Sequence, residues 1–178
     1  MKLNPSYVLL VLSVILVSVA PSQSADLPPN MEQWSNCVGH WINEEERRGG
    51  PDASWNKVKS EWTIEVLPGG HFVQTPGKVT KANGKTVQWG EVWGYDPSTK
   101  KNFEHWFASD GFQGKNTFHW EGRTLITEGV VISPDGIVTK VRMKESYSPN
   151  WKTTTMTGEK LIDGKWVVTR KVKGKRLE

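Results

Sequence analysis

Hydrophobic and polar residues alternate with a period of two along most of this chain, and turn residues interrupt the alternation at short intervals. Val58, Ser60, Trp62, Ile64 and Val66 alternate with Lys57, Lys59, Glu61, Thr63 and Glu65, the split expected of a strand that buries one face and wets the other. Pro68-Gly69-Gly70 turns the chain, His71 to Ala82 returns, and Asn83-Gly84 signals a type I′ hairpin, which needs two positive φ angles. Further strands are predicted at Lys85–Tyr95, Asn102–Ala108, Phe112–Trp120, Arg123–Ile132, Ile137–Tyr147, Trp151–Leu161 and Lys165–Val172. Turns separate them at Asp96-Pro97-Ser98-Thr99, Asp110-Gly111, Glu121-Gly122, Pro134-Asp135-Gly136, Ser148-Pro149-Asn150 and Asp163-Gly164. With Val38–Glu45 at the front, about ten strands follow one another through tight connections.

Short connections make sequence neighbours antiparallel spatial neighbours. A meander of this length either exposes two edges or closes on itself, and closure removes the edges. The expected fold is all-β: an antiparallel up-and-down barrel of about ten strands with a short N-terminal helix at one end. At that strand number the interior is wider than side chains fill, so a ligand-sized cavity is expected. The helix is predicted over Met31–Cys37, with Asn30 as its cap.

The first residues change the picture of where the barrel works. Lys2 precedes an uncharged run, Tyr7 to Ala20, followed by Pro21 and the small-residue stretch Ser22-Gln23-Ser24-Ala25. A basic start, an apolar run shorter than a membrane span and small residues at a cleavage point form the pattern of a secretory signal peptide. Residues 1–25 are therefore expected to be removed, leaving residues 26–178 as one barrel domain, secreted or periplasmic, with no membrane insertion after cleavage. Such a compartment permits disulfides, yet Cys37 is the sole cysteine of the 178 residues, so packing must carry the stability. In its apolar setting Cys37 is expected to be a buried core residue.

Lysine and arginine number 23 against 19 acids, and they are spread along the strands instead of forming one basic face on a nucleic-acid module. No nucleic-acid partner is expected, and the basic tail Lys171–Arg176 is read as a solvated end. Histidines 40, 71, 105 and 119 sit on different strands without local metal-ligand spacing, and no Gly-x-Ser-x-Gly elbow occurs. Neither a metal nor a cofactor is expected.

Strand parity proposes a cavity lining. Trp89, Glu91, Trp93 and Tyr95 share one face, and Phe103, His105 and Phe107 share one face of the next strand. With both aromatic faces inward, Glu91 and His105 meet inside the barrel, and Arg170 joins them from the last strand on the face it shares with Trp166. Trp62 and Trp120 complete the wall. A charge buried alone is costly, so Glu91 would need His105 or Arg170 as a partner. Gly90 and Gly94 are read as making room for facing aromatics or for a bulge in that strand. Asp96 and Asp110 are read as turn formers.

Several motifs carry a family resemblance: Val38-Gly39-His40-Trp41, the W-G-Y-D-P-x-x-K run at Trp93–Lys100, and F-x-x-W-x-x-S-D-G at Phe103–Gly111. Trp120-Glu121-Gly122 and Asp163-Gly164-Lys165-Trp166 follow. Over residues 32–173 the chain resembles a lipocalin-like, calycin-type family of secreted bacterial domains of unknown function. The resemblance implies a barrel with an internal cavity and brings no established reaction. Haem-binding barrels of nitrobindin type share the strand number, but carry a proximal histidine on their C-terminal strands, which residues 165–178 lack. The leading expectation is a small apolar or amphiphilic ligand in the cavity. The alternatives are acid–base catalysis by Glu91 with His105, and a packed barrel serving as an interaction module.

Overall fold

The computed structural model describes Pro28, residues 31–81 and residues 83–177. The expected signal segment and the cap Asn30 lie outside these residues. A single helical turn, α1 (Trp34–Cys37), precedes eleven strands. They are β1 (Gly39–Arg47), β2 (Asn56–Val66), β3 (Phe72–Gln74), β4 (Gly77–Thr80), β5 (Thr86–Asp96) and β6 (Lys101–Ala108). β7 (Gln113–Glu121), β8 (Thr124–Ile132), β9 (Val138–Tyr147), β10 (Thr153–Ile162) and β11 (Lys165–Arg176) follow.

Strands β5 to β11 form a meander, and β1 pairs with both β11 and β2, which closes the sheet. β3 and β4 are two halves of one stave. Gln74 faces Val92 and Gly77 faces Trp89, so the register runs unbroken across Thr75-Pro76. Pro76 has no N–H to give the ladder, yet its carbonyl accepts from Thr63 N–H at 3.0 Å, and Thr75 N–H donates to the Glu91 carbonyl at 3.0 Å. The fold is thus a closed antiparallel barrel of ten staves, with α1 at one end.

The turns follow from their residues with one difference. Asp163 and Gly164 both take positive φ, and Ile162 pairs with Lys165, so the last hairpin has the two-residue form. At the Asn83-Gly84 hairpin only Gly84 is left-handed; its N–H donates to the Lys81 carbonyl at 2.9 Å and Asn83 Oδ1 accepts from Lys85 N–H. The turn therefore begins at Lys81 and is not type I′, because Asn83 serves as a side-chain acceptor instead. Asp96 behaves as a turn former, accepting from Ser98 N–H at 2.9 Å and from the Ser98 and Thr99 hydroxyls.

The C-terminal segment corrects the reading of a solvated tail. β11 runs on to Arg176, pairing Val172 with Glu45, Gly174 with Asn43 and Arg176 with Trp41. Lys171, Lys173 and Lys175 face outward while Val172 and Gly174 face in. A Cβ on Gly174 would strike Asn43 Oδ1 and the Thr154 methyl, so the close approach there requires glycine. Arg176 donates to the Asn36 and Val38 carbonyls, tying α1 to the closing seam.

Candidate functional site

The barrel interior changes character from one end to the other. Beneath α1 lies an aromatic plug. The Trp34 ring tilts onto Trp93 with centroids 4.7 Å apart and meets Trp120 and Phe118 edge-on at 5.5 and 6.0 Å. Trp41, Tyr147 and Trp151 extend the cluster. Cys37 is fully buried within this end, and burial pushes its thiol far above the ordinary range, so it is packing and not a nucleophile. Trp41 Nε1 donates to its carbonyl at 2.9 Å.

The middle of the barrel is ionic. Glu45 on β1 accepts from Arg170 Nε at 2.9 Å and NH2 at 3.1 Å, from Arg47 Nε at 2.6 Å, and from the Ser60 hydroxyl. Burial alone would raise this carboxyl, but the two guanidinium charges and their hydrogen bonds outweigh it and hold Glu45 at about 2. Three more carboxyls face the same space, and all titrate high. Burial lifts Glu91 to about 7, although it accepts from Thr75 Oγ1 at 2.6 Å and Trp93 Nε1 at 3.2 Å. Burial and then the Glu91 charge push Glu104 well up, and burial raises Glu145. Glu104 is fully buried; one carboxyl oxygen accepts from Asn116 Nδ2 at 2.8 Å, and Oε1 has no partner among the described residues.

Above the ionic layer the barrel opens. A cavity of about 360 Å³ lies against Trp89, Glu91, Glu104, Trp106, Met143 and Arg170, and its mouth is bordered by Arg47, Arg48, Lys81 and Lys160. Toward the plug a further void of about 50 Å³ lies among Trp62, Trp89, Glu91, Glu104 and Glu145. No group of three or more His, Cys, Asp or Glu among the described residues is placed to hold a metal ion.

Trp62, Trp89, Glu91 and Arg170 border these spaces, and Trp93 and Trp120 belong to the plug, with Trp93 also on the inner void. Four predicted residues are elsewhere. Phe103, His105 and Phe107 point outward, with Phe107 63% exposed, whereas Asn102, Glu104, Trp106 and Ala108 face in. The pairing of β6 with β5 imposes this: Trp93 faces Glu104 and Glu91 faces Trp106, and paired residues share a side of the sheet. The expected Glu91–His105 contact is therefore replaced by a Glu91–Glu104 neighbourhood. Phe72, Phe103 and His105 instead form an outer ridge, where Gly94 leaves room for Phe72 and Phe103.

Trp166 is likewise outside, 39% exposed, with the Arg142 guanidinium 4.4 Å above its ring. A bulge explains it. Gly158 faces Arg170 but Glu159 faces Val168, so Thr169 is an extra residue and parity inverts between Arg170 and Trp166. The expected bulge site in β5 holds none; its pairing with β6 is regular. The residues missed by sequence reasoning are Trp106, Glu104, Glu145, Glu45 and Lys160. Gly114 opposite Trp106 was the available signal, since a Cβ there would collide with the Trp106 indole.

Comparison with known proteins agrees with this architecture. The family model described as "Protein of unknown function (DUF1579)" matches residues 29–167. No curated protein matches the chain. Among solved structures, Rv2717c from M. tuberculosis superposes with a TM-score of 0.59 at 14% identity, covering 86% of this chain and 100% of that one. The S-type phycobiliprotein lyase CPES from Guillardia theta superposes with a TM-score of 0.58 at 12% identity, covering 83% and 92% respectively. At such identities the likeness is one of fold. The chain belongs to the DUF1579 family.

Proposed function

We propose that this DUF1579 member takes one small apolar or amphiphilic molecule into the open end of its barrel. The body of the ligand lies against Trp89 and Trp106, and a polar group meets the carboxyls of Glu91 and Glu104. The observation that carries this reading is Glu104: fully buried at the cavity floor, with Oε1 unpartnered among the described residues. An unmade hydrogen bond on a buried group costs about 1–3 kcal/mol, which a ligand hydroxyl or carbonyl would recover. A carboxyl kept protonated at neutral pH can donate as well as accept. The cavity volume of about 360 Å³ falls within the range of small-molecule pockets. A phycobiliprotein lyase is built on a similar fold.

Part of the same proposal is export, supported by Lys2, the uncharged run Tyr7–Ala20 and the small residues up to Ala25. N-terminal sequencing of protein recovered from the host's exported fraction would begin near Asp26; retention of Met1 in the cell interior would refute it.

Native mass spectrometry of protein purified without denaturation tests the ligand reading. A reproducible excess mass of a few hundred daltons, lost in Trp106→Ala, is the expected outcome. A bare mass together with no uptake of environment-sensitive apolar dyes would overturn it in favour of an interaction module.

A further inference from the structure

Four cations border the cavity mouth, and they are not equivalent. Arg48 donates Nε to the Val168 carbonyl at 2.8 Å and NH1 to the Pro51 carbonyl at 2.7 Å, and lies 4.7 Å over the Trp55 ring. Lys81 pairs with Asp110 at 3.4 Å. Arg47 commits Nε to Glu45 at 2.6 Å. Lys160 stands inward on β10 between Gly158 and the strand end, half-buried, with no hydrogen-bond or ion-pair partner among the described residues.

The surroundings of Lys160 disfavour its charge. Burial and the Arg47 guanidinium both lower its pKa. The two acids near the mouth are engaged elsewhere: Glu159 is held at 2.5 Å by Arg142, which reaches it from the outer face, and Asp110 by Lys81. Lys160 has no counter-ion among the described residues, and Arg47 shares its own, Glu45, with Arg170, so the pair forms an incomplete electrostatic site.

The floor cannot take an anion in the same way. Arg170 is engaged bidentately by Glu45, and Glu91, Glu104 and Glu145 surround it. The cavity is therefore polarised, with hydrogen-bonding carboxyls deep and, at the entrance, an unpaired lysine beside an arginine that shares its carboxylate. Its size also bounds the ligand. A cavity of about 150 Å³ accepts benzene, so about 360 Å³ holds roughly a dozen non-hydrogen atoms.

We infer that the ligand is a small organic acid carrying one carboxylate, bound with that carboxylate outward between Lys160 and Arg47, its apolar body against Trp89 and Trp106, and a hydroxyl at its inner end toward Glu91 and Glu104. This rests on the cavity being a ligand site, as proposed above. It adds which end of the ligand is charged, with what sign, and which residues select it.

The test compares three probes of one shape on the full protein: 4-(4-hydroxyphenyl)butyrate, 4-(4-hydroxyphenyl)butan-1-ol and 4-(4-hydroxyphenyl)butylammonium, followed by calorimetry and tryptophan fluorescence. The acid is expected to bind at least tenfold more tightly than the alcohol, and the ammonium more weakly than either. Lys160→Gln should weaken the acid about tenfold, as expected for a lost charged hydrogen bond, and leave the alcohol within twofold. Its melting temperature should equal or exceed that of the parent, since a repulsion with Arg47 is removed. Equal binding of acid and alcohol, preference for the ammonium, or an unchanged acid affinity in Lys160→Gln would overturn the inference while leaving the cavity reading intact. Failure of all three probes to bind would overturn both.

Discussion

The two ends of this barrel use tryptophan in opposite ways. Beneath α1, Trp34 and Trp41 are buried completely or nearly so; Trp34 meets the rings of Trp93, Phe118 and Trp120, and Trp41 meets Tyr147 edge-on. At the open end, Trp89 and Trp106 are half-buried and each turns one side to empty space. Between them lies a layer whose charges are paired at Glu45 and whose hydrogen bonding is incomplete at Glu104. One end closes ring against ring, with the Trp34 and Trp120 indole N–H groups left without acceptors among the described residues, and the other turns ring surface to empty space. The difference teaches that a tryptophan count says little about a site until each ring's neighbours are known.

The largest expected effect tests the plug against the mouth. Trp34→Ala should cost about 4 kcal/mol of unfolding free energy, as expected for a large side chain removed from a closed core. Trp106→Ala should cost no more than about 2 kcal/mol, because part of its surface already faces a void, while abolishing ligand uptake. Chemical denaturation of both variants checks the pair; equal losses would erase the distinction between the two ends.

Next comes the ionic layer. Glu45→Ala leaves Arg170 facing the interior without its bidentate partner and should cost about 3 kcal/mol. Glu104→Gln keeps an acceptor for Asn116 and replaces a carboxyl that burial and the Glu91 charge push toward its neutral form, so its cost should stay below about 1 kcal/mol. Urea unfolding at pH 7 discriminates the two.

Acidity sharpens the same contrast. Glu91 titrates at about 7 in the folded chain against its ordinary 4.5. The unfolded chain releases this proton first, so Glu91 makes stability fall as pH rises through that window. Glu45, held at about 2, acts oppositely: its contribution is present above 4.5 and is lost as pH falls toward 2. Glu91→Gln should remove about 2 kcal/mol of the decline between pH 4.5 and 7, less than full linkage gives because water reaches the open cavity. Glu104 and Glu145 should keep a remainder of the slope. Melting curves at the two pH values would sink this assignment if the variant's slope matched the parent's.

The smallest effect concerns the outer wall. Trp166→Ala removes a cation–π contact with Arg142 at an exposed site and should cost about 0.5–1 kcal/mol, without changing uptake of any cavity probe. A loss of uptake in this variant would show that the outer wall shapes the mouth.

Much of the fold was legible along the chain because the turn residues and the period of two are local. The strand segments, the closure and the helix-capped end follow from them. The facing of β6 was legible too, but from pairing and not from hydrophobicity. The four-residue turn at residues 97–100 sets Asp96 opposite Lys101 and Tyr95 opposite Asn102, and counting back places Glu104 beside Trp93 on the inner side. Phe103 and Phe107 outscore Glu104 and Ala108 in apolar character, and that drew the wrong face inward. No feature of Lys165–Val172 announces the extra residue at Thr169, which the register between Gly158 and Glu159 alone reveals.

By itself, then, the order of residues determined the staves and most of their turns, since these rest on contacts a few positions apart, and the closed barrel followed from the two edges an open meander would expose. Only the tertiary structure decided that Glu104 stands unpartnered beside Glu91, that Arg170 turns in while Trp166 turns out, and that Lys160 shares the mouth with Arg47. Those facts depend on strand pairings far apart in sequence, and a one-residue shift in any of them sends a side chain to the other side of the wall.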